Sequence, residues 1–184
     1  DEGLHYHHDW APTMMDQLGR ARCPIWDGRS YAEVMTDGVD AGREDLVISQ
    51  CCHVCQRSVR WDKWLYIRTY HDGFHLFPRD MLFDLDADPH EQANLAEQHP
   101  AVVHEGAWRL ENWHSEQMWK MAKTRPDVVD PLWTVILDGG PHHAPHADGQ
   151  TLPKYLERLE ETDRAEGADE LRERYADFLP ANRD

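Results

Sequence analysis

Trp10, Met14 and Leu18 recur at every fourth position, so residues 8–19 read as a short helix with its apolar edge toward a core. Asp9 can cap it, Pro12 falls in its first turn, and Gly19 is a natural stop. Residues 20–45, punctuated by Pro24, Gly28, Gly38 and Gly42, read as loop. The period then changes to two. Residues 46–48 open a strand, and 58–61 and 64–70 read as paired strands around Asp62-Lys63. In the second of these, Trp64, Tyr66 and Arg68 alternate with Leu65, Ile67 and Thr69. Asp72-Gly73 is a hairpin signal, and residues 81–85 read as a further strand.

Helical spacing returns after that. Asp88 as cap, Pro89 at the first position and Glu91 three residues beyond the cap predict a short helix through Leu95. Pro100 opens a longer helix to about Met121. Its apolar stripe runs through Val103, Ala107, Leu110, Trp113 or His114, Met118 and Met121. Trp108, Trp113 and Trp119 on this helix read as core rather than as a sugar-stacking platform. Residues 132–137 form an apolar, β-branched run that predicts a strand, turning at Gly139-Gly140-Pro141. Pro153 begins an amphipathic helix with Leu152, Tyr155, Leu156 and Leu159 on one side, and a last helix spans 166–178. The predicted class is α+β: an antiparallel sheet of about four strands packed on one long helix, with a C-terminal helical extension. The predicted division is 1–124 for sheet and long helix, and 125–184 for a Pro/Gly/His-rich connection and the extension.

Charge narrows the function classes. Against 35 acidic residues stand 19 basic ones, a formal net charge of −16 over 184 residues. Such a surface repels phosphate backbones and anionic headgroups, which excludes nucleic acid and membrane surfaces as expected partners. No apolar run approaches the roughly 20 residues that span a bilayer. The chain opens at Asp1 with neither Met nor a targeting segment. This reads as a boundary within a longer product and leaves the compartment open. Cys51, Cys52 and Cys55 crowd one stretch with Cys23 apart. That spacing is not a disulfide framework, and reduced, mostly buried thiols are expected.

The order of motifs resembles the C-terminal subdomain of a sulfatase of the alkaline phosphatase superfamily. Asp9-x-x-Pro12-Thr13 with Asp16 and Gly19 is similar to the helix after the catalytic half of that family. Arg57-Ser58-Val59-Arg60 followed by Trp64-Leu65-Tyr66-Ile67 is similar to its Arg, then Lys-Tyr-Ile, hairpin, with Leu65 where the Lys stands. The most specific match is Met81-Leu82-Phe83-Asp84-Leu85-x-x-Asp88-Pro89-x-Glu91-x-x-Asn94-Leu95-Ala96. It resembles the family's Leu-Tyr-Asp-Leu, Asp-Pro-x-Glu, Asn-Leu-Ala segment. The resemblance covers about 9–121; the tail, with Asp130-Pro131-Leu132-Trp133, resembles an extension in one bacterial subgroup. It implies a sulfuric ester hydrolase using calcium and a formylglycine nucleophile, both held by a catalytic half that is not here. The Cys/Ser-x-Pro-x-Arg motif is absent, since Cys23-Pro24-Ile25-Trp26 lacks its Pro and Arg positions, and the family's acidic metal ligands are absent too. The implied partner is that catalytic domain, the chain alone is expected to be inactive on sulfate esters, and a homo-oligomer is compatible with the apolar helix faces.

Within this frame His53, Arg57, His71 and His75 are candidates for the mouth of a substrate pocket, because imidazole and guanidinium both donate to sulfate oxygens. The competing reading is a set of sheet-face histidines, with Arg57 and Arg60 paired to carboxylates. Cys51, His53 and Cys55 would share one side of a strand and are the alternative zinc set, which lacks a fourth ligand at standard spacing. His5, His7 and His8, and His142, His143 and His146, read as polar loop residues. Two other function classes stay open: a non-catalytic binding or assembly module, and a Cys/His metal-binding module.

Overall fold

In the computed structural model the described residues are 3–38, 42–125, 127–141 and 151–179; His142, His143 and His146 lie outside them. The chain divides into two compact units. One comprises the residues up to Leu46 with Arg60–Lys63, the other Val47–Val59 and the chain from Trp64 onward.

In the first unit, helix α1 (Trp10–Gln17) follows a 3-10 turn at His7–Asp9, and a further helix, α2 (Ala32–Asp37), interrupts the expected loop. The predicted inward edge of α1 is corrected: Trp10, Met14 and Leu18 are exposed, whereas Asp9, Pro12 and Thr13 are buried. Side-chain bonds to backbone, not an apolar stripe, seat this helix. The Asp9 carboxylate does not cap α1. It accepts from the Tyr6 and Arg29 amides, each at 2.7 Å, and from Nη1 and Nη2 of Arg43. The Thr13 hydroxyl donates to the Asp9 carbonyl at 2.7 Å and accepts from the Tyr31 amide at 3.0 Å. Gly28 completes the fit, since a Cβ there would meet the His8 carbonyl oxygen at 2.4 Å.

The sheet consists of β1 (Asp45–Gln50), β2 (Cys55–Trp61), β3 (Trp64–His71) and β4 (Asp80–Asp84), in that order, with β3 and β4 antiparallel. Leu65 opposes Phe83 and Ile67 opposes Met81; these four pack on one face together with Leu85. Tyr66 and Arg68, opposite Leu82 and Asp80, point to the other face, as the period of two requires. Helix α3 (Pro100–Thr124) lies on β3 and β4, burying Leu110 of the predicted stripe and Gly106, which the stripe did not include. The class is therefore α+β, as the patterning predicts. Trp108 and Trp119 depart from expectation: they are 62% and 66% exposed, and only Trp113 turns inward.

The hairpin that Asp72-Gly73 signals joins antiparallel β3 and β4, through the longer connection 72–79, with Gly73, Phe74 and Leu76 all at positive φ. The segment after Asp88 forms turns, not a helix: Asp88 accepts from the Ala93 amide at 2.8 Å and Glu91 sits at φ 56°. The chain instead lies along the outer edge of β4. The Leu82 amide donates to Asn94 Oδ1 at 3.0 Å, and the Leu82 carbonyl accepts from the Leu95 amide at 2.8 Å. An edge strand left open is a template for foreign pairing, and the Asn-Leu-Ala segment closes this one. Asn94→Ala should lower stability by about 1 kcal/mol, because it strips the Leu82 N–H of its acceptor. Urea unfolding followed by circular dichroism measures this; an unchanged midpoint would show that the amide needs no partner.

Residues 131–137 form helix α4 (Pro131–Leu137), not a strand. Asp130 caps it through the Leu132 amide at 3.0 Å, with Pro131 in the first turn. Helices α5 (Thr151–Glu161) and α6 (Ala165–Arg174) form the extension, with a 3-10 turn at Ala176–Phe178 where the last helix was expected to continue. Leu152, Leu156 and Leu159 of α5 join Ala168 and Leu171 of α6 around Phe74 from the β3–β4 connection.

Candidate functional site

Of the four residues predicted to face a substrate, Arg57 occupies the most enclosed position. Both partners of its ion pair with Asp130 are about one-twentieth exposed. Nη1 and Nη2 donate to the Asp130 oxygens at 2.9–3.1 Å and Nε to the Ser49 hydroxyl at 2.9 Å, while the guanidinium carbon lies 5.0 Å from the Trp113 ring centre. His114 Nε2 is 3.1 Å from Asp130 Oδ2, an ion-pair distance without hydrogen-bond alignment. Burial pushes the Asp130 carboxyl up, but the Arg57 hydrogen bonds and the Leu132 amide outweigh it and hold the carboxyl below the ordinary range.

Cys51 falls beside this pair. Residues 52–54 form a bend and residue 51 lies outside both flanking strands, so Cys51 and His53 do not continue the strand face of Cys55. His53 is exposed, and Cys55 is fully buried with its thiol pushed up by burial to about 11. A thiol held so is neutral at pH 7 and a poor nucleophile or ligand. Among the described residues no three His, Cys, Asp or Glu side chains gather to hold a metal ion, so no step through calcium or zinc follows from these residues.

A cleft of about 410 Å³ opens where β3 ends. Three pieces of chain build it: Thr69–Asp72, Phe77–Arg79, and Arg174 with Tyr175 at the end of α6. The anchor is Asp72, 4% exposed. It accepts from the Phe74 amide at 3.0 Å, from Arg174 Nη1 at 2.7 Å and from the Tyr175 hydroxyl. Burial, then that bond to Asp72, push the Tyr175 phenol well above its ordinary value, so it remains a donor at any physiological pH. His71 lines the cleft; His53, Arg57 and His75 do not. His71 Nδ1 accepts from the Gly73 amide at 3.0 Å, which leaves Nε2 to carry the ring proton. His75 sits outside on the same connection, its ring 6.0 Å from that of Phe77. Sequence reasoning misses Tyr70, Phe77, Arg79, Arg174 and Tyr175. The Phe-Pro-Arg run ahead of β4 is the only local sign of them, and Arg174 meets Asp72 across 102 positions.

In the first unit a second pocket, of about 530 Å³, is lined by Trp10, Ile25 and Trp26 with His7 and His8. It is the more apolar of the two and holds no guanidinium.

No family model matches the sequence, and no curated protein does. Solved structures do. One is a candidate sulfatase from Bacteroides thetaiotaomicron, 20% identical with a TM-score of 0.49 over 65% of this chain and 26% of that one. Another is a 2-O GAG sulfatase, 20% identical with a TM-score of 0.48 over 65% of this chain and 26% of that one. A third, solved in complex with its substrate D-glucosamine-2-N,6-O-disulfate, is 19% identical with a TM-score of 0.49 over 66% of this chain and 25% of that one. All three are described as sulfatases or candidate sulfatases or by a sulfated substrate, and this chain spans about a quarter of the length of each.

Proposed function

We propose that this chain is the C-terminal portion of a sulfatase-type hydrolase, and that the residues which break the sulfate ester belong to a catalytic half outside it. The observation that carries the reading is the segment from Met81 to Ala96. It is the most specific sequence match to the sulfatase subdomain, and five of its matched residues have a structural task here. Met81 and Phe83 pack one sheet face, Asp88 holds the turn, and Asn94 and Leu95 close the edge of β4. A motif retained as a structural unit supports a retained architecture.

The chain's own chemistry fits a supporting role. Its buried carboxylates Asp9, Asp72 and Asp130 are each bound to an arginine, and the Cys55 thiol is buried and neutral. None is placed as an attacking group. Calcium and formylglycine are the chemistry a catalytic half would supply; this chain would cover and shape the substrate entry. Exposed Trp10, Ile25 and Trp26 of the first unit provide apolar surface for such a half to cover.

Two measurements decide it. The reading frame immediately upstream of the Asp1 codon should encode a Cys/Ser-x-Pro-x-Arg motif and acidic metal ligands. The purified chain should release no fluorophore from 4-methylumbelliferyl sulfate. A frame that starts at Asp1 without those motifs, or turnover by the chain itself, would overturn the reading.

A further inference from the structure

We propose that the cleft at the end of β3 is a binding subsite for a sulfated sugar, with the pyranose on the aromatic rims and the sulfate on Arg79. The choice of sulfate rests on the sulfatase reading; the site itself rests on the cleft. Its volume of about 410 Å³ falls within the range of small-molecule sites. Tyr70 and Phe77 line it and are each 39% exposed, which leaves aromatic surface for the C–H face of a sugar ring.

The charges have an order. Arg174 gives Nη1 to Asp72 and Nη2 to Glu170, at 2.7 and 2.8 Å. Its positive charge is therefore largely balanced, and it serves as wall. Arg79 differs: its side chain is 77% exposed, and the Asp80 carboxylate beside it stands 3.9 Å away and is itself bonded by Tyr66 and Arg68. A planar guanidinium with that freedom suits bidentate contact with a sulfate. In a chain of net charge −16, Arg79 is therefore the lining cation that can meet an anion in this cleft, since Arg174 is already paired. Preorganisation comes from Asp72, which fixes Arg174 and Tyr175 from inside the fold before any ligand arrives. The C-terminal extension supplies one wall, so the cleft depends on α6 as well as on the sheet.

The test is titration of the chain, followed by 15N–1H NMR, with the 6-sulfates of glucose, galactose and N-acetylglucosamine, with the same sugars unsulfated, and with inorganic sulfate. At least one sulfated sugar should shift the amides of residues 69–79 and 174–175. Its unsulfated parent and inorganic sulfate should each bind at least tenfold more weakly. Arg79→Ala and Phe77→Ala, both at exposed positions, should each weaken binding tenfold or more while the remaining spectrum stays unchanged. The subsite is overturned if none of the three sulfated sugars shifts those amides, if sulfated and unsulfated forms bind alike, or if Arg79→Ala binds as well as the parent chain. Those outcomes are read without regard to the upstream reading frame, so the subsite and the sulfatase reading fail separately.

Discussion

Replacing Asp130 with Ala is expected to remove roughly 3–5 kcal/mol of stability, the magnitude found when one partner of a buried ion pair is deleted. Three functions are lost together. Arg57 keeps its charge, about one-twentieth exposed, with only the Ser49 hydroxyl and the Trp113 face for company. The Leu132 amide loses the cap that starts α4, which alone contributes about 1 kcal/mol. His114 loses the carboxylate 3.1 Å from its Nε2. Urea unfolding of the parent, Asp130→Ala, Arg57→Met and the double variant Arg57→Met/Asp130→Leu resolves the parts. The double variant should recover most of the loss, since two apolar side chains leave no stranded charge. Equal losses in the Asp130 single variant and the double variant would show that the stranded charge is not what matters.

The same carboxylate has a pH signature. Asp9, Asp80 and Asp130 are all held below the ordinary carboxylate range: in each, burial pushes up and hydrogen bonds to arginine and other donors pull down further. A group with a lowered folded pKa binds its proton more readily when the chain is unfolded. Its stabilisation is complete above the ordinary value of about 4 and is lost as pH falls through the lowered folded value. The stability difference between the parent and Asp130→Ala should therefore be constant from neutrality down to about pH 5 and shrink below pH 4.

What could be read from sequence, and what could not, divides by the range of the interaction. The strands of the sheet and helix α3 follow from local periodicity, and both stand in the fold. Helix α4 did not follow, because Thr134-Val135-Ile136 looks like a strand. What overrides that propensity is Asp130, which is held by Arg57 from 73 positions away. The apolar spacing of α1 pointed inward, yet the helix is seated by Asp9 and Thr13 on chain 18 to 34 positions distant. The turn through Glu91 to Leu95 looked like a capped helix because the sequence does not reveal that Asn94 has an open strand edge to fill. The cleft was the least legible feature. Of its lining only His71 was singled out, since the side chains that complete it come from α6, more than a hundred positions from Asp72.

Two glycines in helices should respond to the same substitution with opposite signs. Gly-to-Ala inside a helix ordinarily stabilises by about 0.5–1 kcal/mol, through the lost backbone freedom of the unfolded chain. Gly167 in α6 should behave so, because a Cβ there meets only Leu76 Cδ1, at an ordinary 3.9 Å. Gly106 in α3 should not. A Cβ there would stand 2.6 Å from Tyr66 Cβ and Cγ and 2.8 Å from Cδ1. Tyr66 Cβ is fixed by the backbone, so a rotamer change cannot carry it away. The ring is fully buried and its hydroxyl is bonded to Asp80, so it has no room to retreat. Helix α3 must lift from the sheet instead, which corresponds to overpacking at roughly 1–3 kcal/mol and exceeds the helical gain. Thermal unfolding of Gly106→Ala and Gly167→Ala side by side measures both. A lowered midpoint for the first and a raised one for the second identifies Gly106 as the point where the long helix approaches the sheet face of Tyr66. A raised midpoint for both would mean that α3 rides on the sheet with slack the packing of Tyr66 does not indicate.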